Sequence, residues 1–400
     1  MPDHADIYDE LAVPTVVNAA GTKTRIGGSL IRPEAADAMR AAADSFARIS
    51  DLQARASELI AEATGADAGY VASGAAATMT LGTAACIAGD DLGAMDRLPD
   101  TAGLADEVVM ARTHRTGYDH AIRAAGARIV DVGTNDRHLG TGARNVEPWE
   151  VADAIGEDTA AVAYVQKEYT EPPLETVVEI AHERDVPVLV DAAAELPPST
   201  NLERFVDAGA DLVAFSGGKA IRGPQSTGVL AGRGDLIRSV AAQHLDMHAA
   251  EDAWEPPLDL VDPDDLGGVP RQGLGRGFKV GKEELVGIIR ALELFLEEDQ
   301  DAVRAEWRDR AEAVAAGLAD LPVAVDLIDD PTSPAPWLAV TLEEGAPLSA
   351  TNLAARLRRE RPRVYVGADD ADDGELAINP TCLSDAEADY LVERFAAHLD

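Results

Sequence analysis

The sequence predicts an α/β protein: a large domain built on a mostly parallel sheet with helices on both faces, and a small α+β domain at the C-terminal end. Three observations carry this. Short apolar runs alternate with longer amphipathic stretches through most of the chain. Runs such as Val186–Asp191 read as buried strands, the kind found in parallel sheets covered on both faces. A stretch rich in Pro, Gly and Asp, Trp254–Gly277, separates this alternation from two long helical patterns and a second, smaller alternating region.

The elements follow in order. Pro33–Phe46 and Leu52–Thr64 are Ala-rich with their charges on one face, which predicts helices. Val71–Ser73 reads as a short strand, and the small residues after it open a helix that runs to about Ala88. Glu107–Arg112 and Ala127–Val132 read as strands on either side of a helix from Tyr118 to Ala125, and Ala160–Val165 as a further strand. Leu174–Arg184 predicts a helix, Val186–Asp191 a strand, Leu202–Ala208 a helix and Asp211–Ser216 a strand. Trp254–Gly277 predicts a long functional loop. Lys282–Glu298 and Ala302–Leu318 predict long helices, and from about Pro322 the chain reads as the small domain. The expected organisation is an N-terminal arm over 1–45, a large domain over 46–281, and the long helix with the small domain over 282–400.

Charge narrows the partners. Asp and Glu number 72 against 34 Lys and Arg, a net charge of -38. Such a surface repels nucleic acid and anionic lipid, so neither is expected to bind. The acidity is spread along the chain rather than gathered in a tail, which points to a cytoplasm of very high salt, as in haloarchaea, where the screening length falls to ~3 Å or less. Lysine is scarce: Lys23, Lys167, Lys219, Lys279 and Lys282 are all there are, so each is more informative than usual. No run of ~18 uncharged apolar residues spans a membrane. The polar opening Met1–Glu10 is unlike a secretory signal, and the protein is expected in the cytoplasm. Two cysteines, Cys86 and Cys382, exclude a disulfide framework or a four-cysteine zinc site. His120, His138, His182, His244 and His248 show no metal-ligand spacing, and no metal is expected.

Two strand ends carry the chemistry. One run is Val186-Pro-Val-Leu-Val-Asp191-Ala-Ala-Ala-Glu195, the other Asp211-Leu-Val-Ala-Phe-Ser216-Gly-Gly-Lys219. Ligands of open α/β sheets sit beyond the carboxyl ends of strands, so Asp191 and Lys219 are expected to face one crevice. Pyridoxal phosphate chemistry needs this pair. A lysine forms the Schiff base, and a carboxylate keeps the pyridine nitrogen protonated so that the ring accepts electrons. Gly217 and Gly218 would let the backbone approach closely. The small residues Ser73-Gly74-Ala75-Ala76, between a strand and a helix, suit a phosphate cradle, and the Ser216 hydroxyl would add to it. His114, after a predicted strand, is a candidate to stack on the cofactor ring. The basic, glycine-rich run Arg271-Gln-Gly-Leu-Gly-Arg276-Gly-Phe-Lys279-Val-Gly-Lys282 suits an anionic substrate, with Arg276 and Lys279 as candidate ligands. No strand leads into it, so it is not a dinucleotide fingerprint.

Together these segments resemble the fold type I pyridoxal-phosphate enzymes, the aspartate aminotransferase superfamily. Within it they resemble the branch of selenocysteine synthase and D-glucosaminate-6-phosphate ammonia-lyase. The resembling residues are Asn18-Ala-Ala-Gly21-Thr, Ser73-Gly-Ala-Ala-Ala, Val190-Asp191-Ala-Ala-Ala-Glu195, Ser216-Gly-Gly-Lys219-Ala-Ile-Arg-Gly-Pro-Gln225 and Gly275-Arg276-Gly-Phe-Lys279-Val-Gly-Lys282-Glu283. The resemblance implies that Lys219 is the Schiff-base lysine, Asp191 the pyridinium partner and Ser73–Ala76 the phosphate loop. It implies a homodimer or a multiple of one. The expected reaction is β-elimination and deamination of a D-glucosaminate-like amino-sugar acid or a hydroxyamino acid, giving a 2-oxo acid and ammonia. The alternative is selenium transfer onto seryl-tRNA. The lack of a basic stripe, and a start close to the Asn18 element where bacterial tRNA enzymes carry a further domain, argue against that alternative. A scaffold of the same fold would need neither Asp191 nor Lys219. Relatives tend to have an arginine near Thr381, where this chain departs from them. Arg25, Arg115, Arg222 and Arg276 are candidate anion clamps.

Overall fold

The computed structural model describes residues 7–135, 144–167, 170–245, 250, 253–271, 273–330, 333 and 335–399. The chain divides into two units, 31–297 and 1–30 with 298–400. These divisions differ from the sequence boundaries at 45/46 and 281/282. Lys282–Glu297 packs on Pro33–Ala43 within the larger unit, and the Lys282 Nζ donates to the Ala42 carbonyl at 2.6 Å.

The larger unit is built on seven strands: β1 (Ala68–Ala72), β2 (Glu107–Ala111), β3 (Arg128–Val132), β4 (Thr159–Val165), β5 (Val188–Asp191), β6 (Leu212–Ser216) and β7 (Gly228–Gly232). They lie in the order β1-β7-β6-β5-β4-β2-β3. Strand β7 runs antiparallel to β1 and to β6, and all other neighbours are parallel. Because β7 reverses against both neighbours, β1 points the same way as β2–β6. Six carboxyl ends therefore share one edge of the sheet.

Side chains alternate between the two faces, as the two-residue period of a strand requires. Val188, Val190, Val213 and Phe215 point into one core, with residues of α1 (Ile49–Thr64), α2 (Leu174–His182) and α3 (Lys282–Glu297). Leu189, Leu212, Ala214 and Leu230 point into the other, with Ala75–Ala88 and Gly234–Ala242. Burial on both faces explains the near-continuous apolar runs. Strand β7 has no counterpart in the expected elements. It is a five-residue run with glycine at both ends, and both glycines are set by neighbours rather than by strand propensity. A Cβ on Gly228 would lie 2.2 Å from the Gly74 carbonyl carbon, and one on Gly232 would lie 2.0 Å from the Asp211 oxygen.

The smaller unit has its own core, around Leu338, Val340, Leu353, Leu376 and Phe395. Val323–Ile328, Trp337–Leu342 and Glu375–Ile378 form an antiparallel sheet, and Val16–Ala19 pairs in parallel with Arg363–Val366. The Asn379 amide donates to Ala19 O (2.9 Å), and the Asn18 Nδ2 donates to Gly21 O (3.0 Å). Gly21 needs its φ of +73°, and a Cβ there would lie 3.2 Å from the Asn379 side chain. The Thr381 amide and hydroxyl both donate to the Asn379 Oδ1, at 3.0 and 2.6 Å. Among the described residues no helix is long and apolar enough to cross a membrane.

Candidate active site

Asp191 ends β5, and its backbone lies beside Ala214 of β6. Its Oδ1 accepts from the Ala193 amide at 3.1 Å, which fixes the carboxylate just past the strand. Ser216 ends β6, and Lys219 follows three residues later on a tight loop. That loop closes through Gly217 N to Thr227 O (2.9 Å), Gly223 N to Gly217 O (2.9 Å) and Arg222 N to Lys219 O (3.0 Å). Gly217 and Gly218 are glycines because the loop packs on itself. A Cβ on Gly217 would lie 2.2 Å from the Thr227 hydroxyl, and one on Gly218 would lie 2.4 Å from the Gln225 Cα. β5 and β6 are parallel neighbours, so Asp191 and the loop that carries Lys219 leave the same edge of the sheet side by side.

The phosphate-loop candidates lie on the same edge. Gly74, with φ +99°, turns the chain from β1 into Ala75–Ala88, a helix whose first turn is Ala-rich. Gly228 pairs with Ala72 on one side and Ser216 on the other. Ser216 is thus one strand away from the Ser73–Ala76 turn, with only a glycine between. The Ser73 amide donates to Phe278 O at 3.1 Å, which ties the turn to the short helix Leu274–Phe278. Arg276 and Lys279 of this segment are exposed.

His114 follows β2 on a single helical turn and is 4% exposed. Its Nδ1 accepts from the Val165 amide at 3.4 Å, and its ring meets Tyr164 edge-on at 4.8 Å. Burial holds its pKa down at about 4, so the ring is neutral at pH 7. Its Nε2 is buried, and a hydrogen bond with the Glu171 backbone works against the lowering of its pKa.

Several basic residues are committed elsewhere. Arg115 pairs with Asp119 and with Asp131 (2.6 Å), so its charge is already answered. Lys282 pairs with Glu283, and Arg271 lies 4.0 Å from Asp96. Arg25 sits exposed in the smaller unit. His138 and His248 lie outside the described residues. Two residues given no role from the sequence stand at this edge. Lys167, just past β4, has its Nζ 3.9 Å from the Glu195 Oε1. The sequence signals for the pair were the rarity of lysine and the place of Glu195 at the end of the Val190–Glu195 element.

The aminotransferase class-V family matches residues 118–248. The chain is 31% identical over 402 residues to the D-glucosaminate-6-phosphate ammonia lyase of Salmonella typhimurium, covering 97% of this chain and 96% of that one. It is 32% identical to the 5'-C-glycyluridine monooxygenase-decarboxylase of a Streptomyces species, covering 98% and 91%. An L-seryl-tRNA(Sec) selenium transferase of Rhizobium meliloti is 28% identical over 67% of this chain. The solved structure of a D-glucosaminate-6-phosphate ammonia-lyase superposes over the whole of both chains with a TM-score of 0.81 at 29% identity. With the seven-strand order and the full-length identity together, the chain belongs to the fold type I, aminotransferase class-V family of pyridoxal-phosphate-dependent enzymes.

Proposed function

We propose that this chain is a pyridoxal-phosphate-dependent ammonia-lyase acting on a D-glucosaminate-like amino-sugar acid or a hydroxyamino acid. The observation that carries the reading is that Asp191 and the loop bearing Lys219 leave adjacent parallel strand ends. The residues fit the cofactor in three ways. A carboxylate and an amine follow adjacent strands at the edge, His114 offers a buried neutral imidazole, and the turn at Gly74 is kept free of side chains by Gly228. When bound, the cofactor draws electrons away from the α-carbon of the substrate through its ring.

The chain's own groups do the rest. Ser73, Gly74, Ala75 and Ala76 hold the phosphate by backbone amides at a helix start, with the Ser216 hydroxyl beside them. Asp191 would keep the ring nitrogen protonated. His114, as a neutral imidazole, would help hold the ring. Lys219 would hold the cofactor and, as a neutral amine, would take the α-proton. Arg276 and Lys279 attract the anionic end of the substrate. Loss of the β-hydroxyl then leads, by hydrolysis, to a 2-oxo acid and ammonia. We further propose a homodimer, or a multiple of it, working in a cytoplasm of high salt.

The full-length match to an enzyme named for ammonia loss from D-glucosaminate 6-phosphate supports this reading over selenium transfer. The tRNA enzymes match a smaller share of the chain. The glycyluridine enzyme is as similar as the lyase and is named for another reaction, so the test must separate the two. The holoenzyme is given D- and L-hydroxyamino acids, D-glucosaminate with and without a 6-phosphate, and a glycyl nucleoside, in molar KCl. Ammonia, 2-oxo acid and dioxygen are followed together. Equal release of ammonia and 2-oxo acid without oxygen uptake is expected. Oxygen consumption with carbon dioxide release would overturn the lyase reading.

A further inference from the structure

We propose that Glu195 is a further catalytic residue, whose carboxyl group gives the departing β-hydroxyl its proton, and that Lys167 is the positioning residue that holds it. This rests on the lyase reading above.

Hydroxide is a poor leaving group, and a placed acid lowers the barrier by about two to four orders of magnitude. Asp191 and Lys219 already serve the ring and the α-carbon in that reading. Glu195 lies on the same edge, four residues past Asp191, with only 20% of its side chain exposed. Its position is fixed from both sides: its amide donates to Ala192 O (3.1 Å), and its own carbonyl accepts from the Asn201 Nδ2 (2.7 Å). Lys167 is fixed as well. Its amide donates to the Thr170 hydroxyl at 2.8 Å, and its carbonyl accepts from the Thr170 amide at 3.0 Å. The 3.9 Å approach between the two heads spans the ends of neighbouring strands, β4 and β5.

The electrostatics suit a proton carrier. Burial raises the Glu195 carboxyl above its ordinary range, and the Asp191 charge adds to this. Lys167, Arg204 and Lys219 pull it back. The net direction is upward, so the group keeps its proton closer to neutral pH than a solvated glutamate does.

The protons balance without outside help. The Cβ–O bond breaks, its electron pair stays on oxygen, and that oxygen takes the Glu195 proton and leaves as water. Lys219 then holds the α-proton as an ammonium beside an ionised Glu195. Transfer from Lys219 to Glu195 restores both groups for the next turnover.

The test compares wild type with Glu195→Gln as holoenzymes, using D- and L-serine, D-glucosaminate 6-phosphate and D- and L-3-chloroalanine. Three rates are read: α-proton exchange with deuterated solvent, hydroxyl elimination and chloride elimination. Chloride leaves without a proton. Glu195→Gln is expected to lose at least about a hundredfold in hydroxyl elimination while exchange and chloride elimination stay within a few-fold. Equal losses in all three, or no loss in hydroxyl elimination, would overturn the assignment. If wild type neither exchanges nor eliminates with any probe, the lyase reading itself falls and takes this assignment with it. An infrared titration of the carboxyl band in Lys167→Met, without substrate, gives a readout independent of turnover. The Glu195 band is expected to titrate at higher pH than in wild type, and an unchanged titration would overturn the role of Lys167.

Discussion

Asp191 and Asn differ at this position by charge and little else, which makes the site's electrostatics testable one atom at a time. An opposite charge near a titratable nitrogen favours its protonated form by one to three pK units. Asp191→Asn is expected to keep the fold and the cofactor and to lose about ten- to a thousandfold in kcat; an unchanged kcat would remove the carboxylate from the reaction. The buried histidines make a second prediction. Burial depresses His114 and His244 from the ordinary 6.5 to about 4. The folded chain keeps them neutral, whereas the unfolded chain protonates them. The stability they protect is fully present above pH 6.5 and is lost as pH falls toward 4, on the order of 3 kcal/mol for each. Urea unfolding at pH 7 and pH 4.5 should show this loss, and His114→Phe should lessen it. An identical pH dependence in the variant would contradict the burial argument. The positions of Asp191 and Lys219 were legible because one ends a strand-like run and the other follows such a run by three residues. The Lys167–Glu195 pair was not, since its approach depends on β4 and β5 being neighbours. The commitment of Arg115 to Asp119 and Asp131 was hidden in the same way.

Among the elements, the strands buried on both faces were the readable ones, because covering helices leave a continuous apolar run. Helix ends were less so. Pro33–Phe46 was expected and Pro33–Ala43 is found, while Leu52–Thr64 was expected and Ile49–Thr64 is found. Neither helix has a side-chain N-cap to mark its start. Strand β7 was invisible because its two terminal glycines answer to Gly74 and Asp211 rather than to any local propensity. That dependence predicts the effect of Gly228→Ala. The new methyl group would press on the Gly74 backbone, and overpacking of this kind costs about 1–3 kcal/mol. Cofactor affinity should fall at least about tenfold, since the moved turn is the proposed phosphate cradle, and each 1.4 kcal/mol is tenfold in affinity. Fluorescence titration of the apoenzyme checks this, and wild-type affinity would contradict the cradle.

Across the whole molecule, the net charge of -38 acts on the compact state through self-repulsion. Salt screens it, with a screening length of about 10 Å at 0.1 M and 3 Å at 1 M. The melting temperature is therefore expected to rise steadily from 0.1 M to molar KCl, as followed by calorimetry; a flat or falling trend would separate the acidity from any adaptation to salt. Sheet order and a shared carboxyl edge set residues from five strand ends of the larger unit along one side, and one bond tests whether that edge is the active site. The holoenzyme is reduced with borohydride, digested, and the cofactor-bearing peptide sequenced by mass spectrometry. With five lysines in the chain the answer is unambiguous. The cofactor remnant on Lys219 is the result expected here, and a remnant on Lys23, Lys167, Lys279 or Lys282 would contradict it.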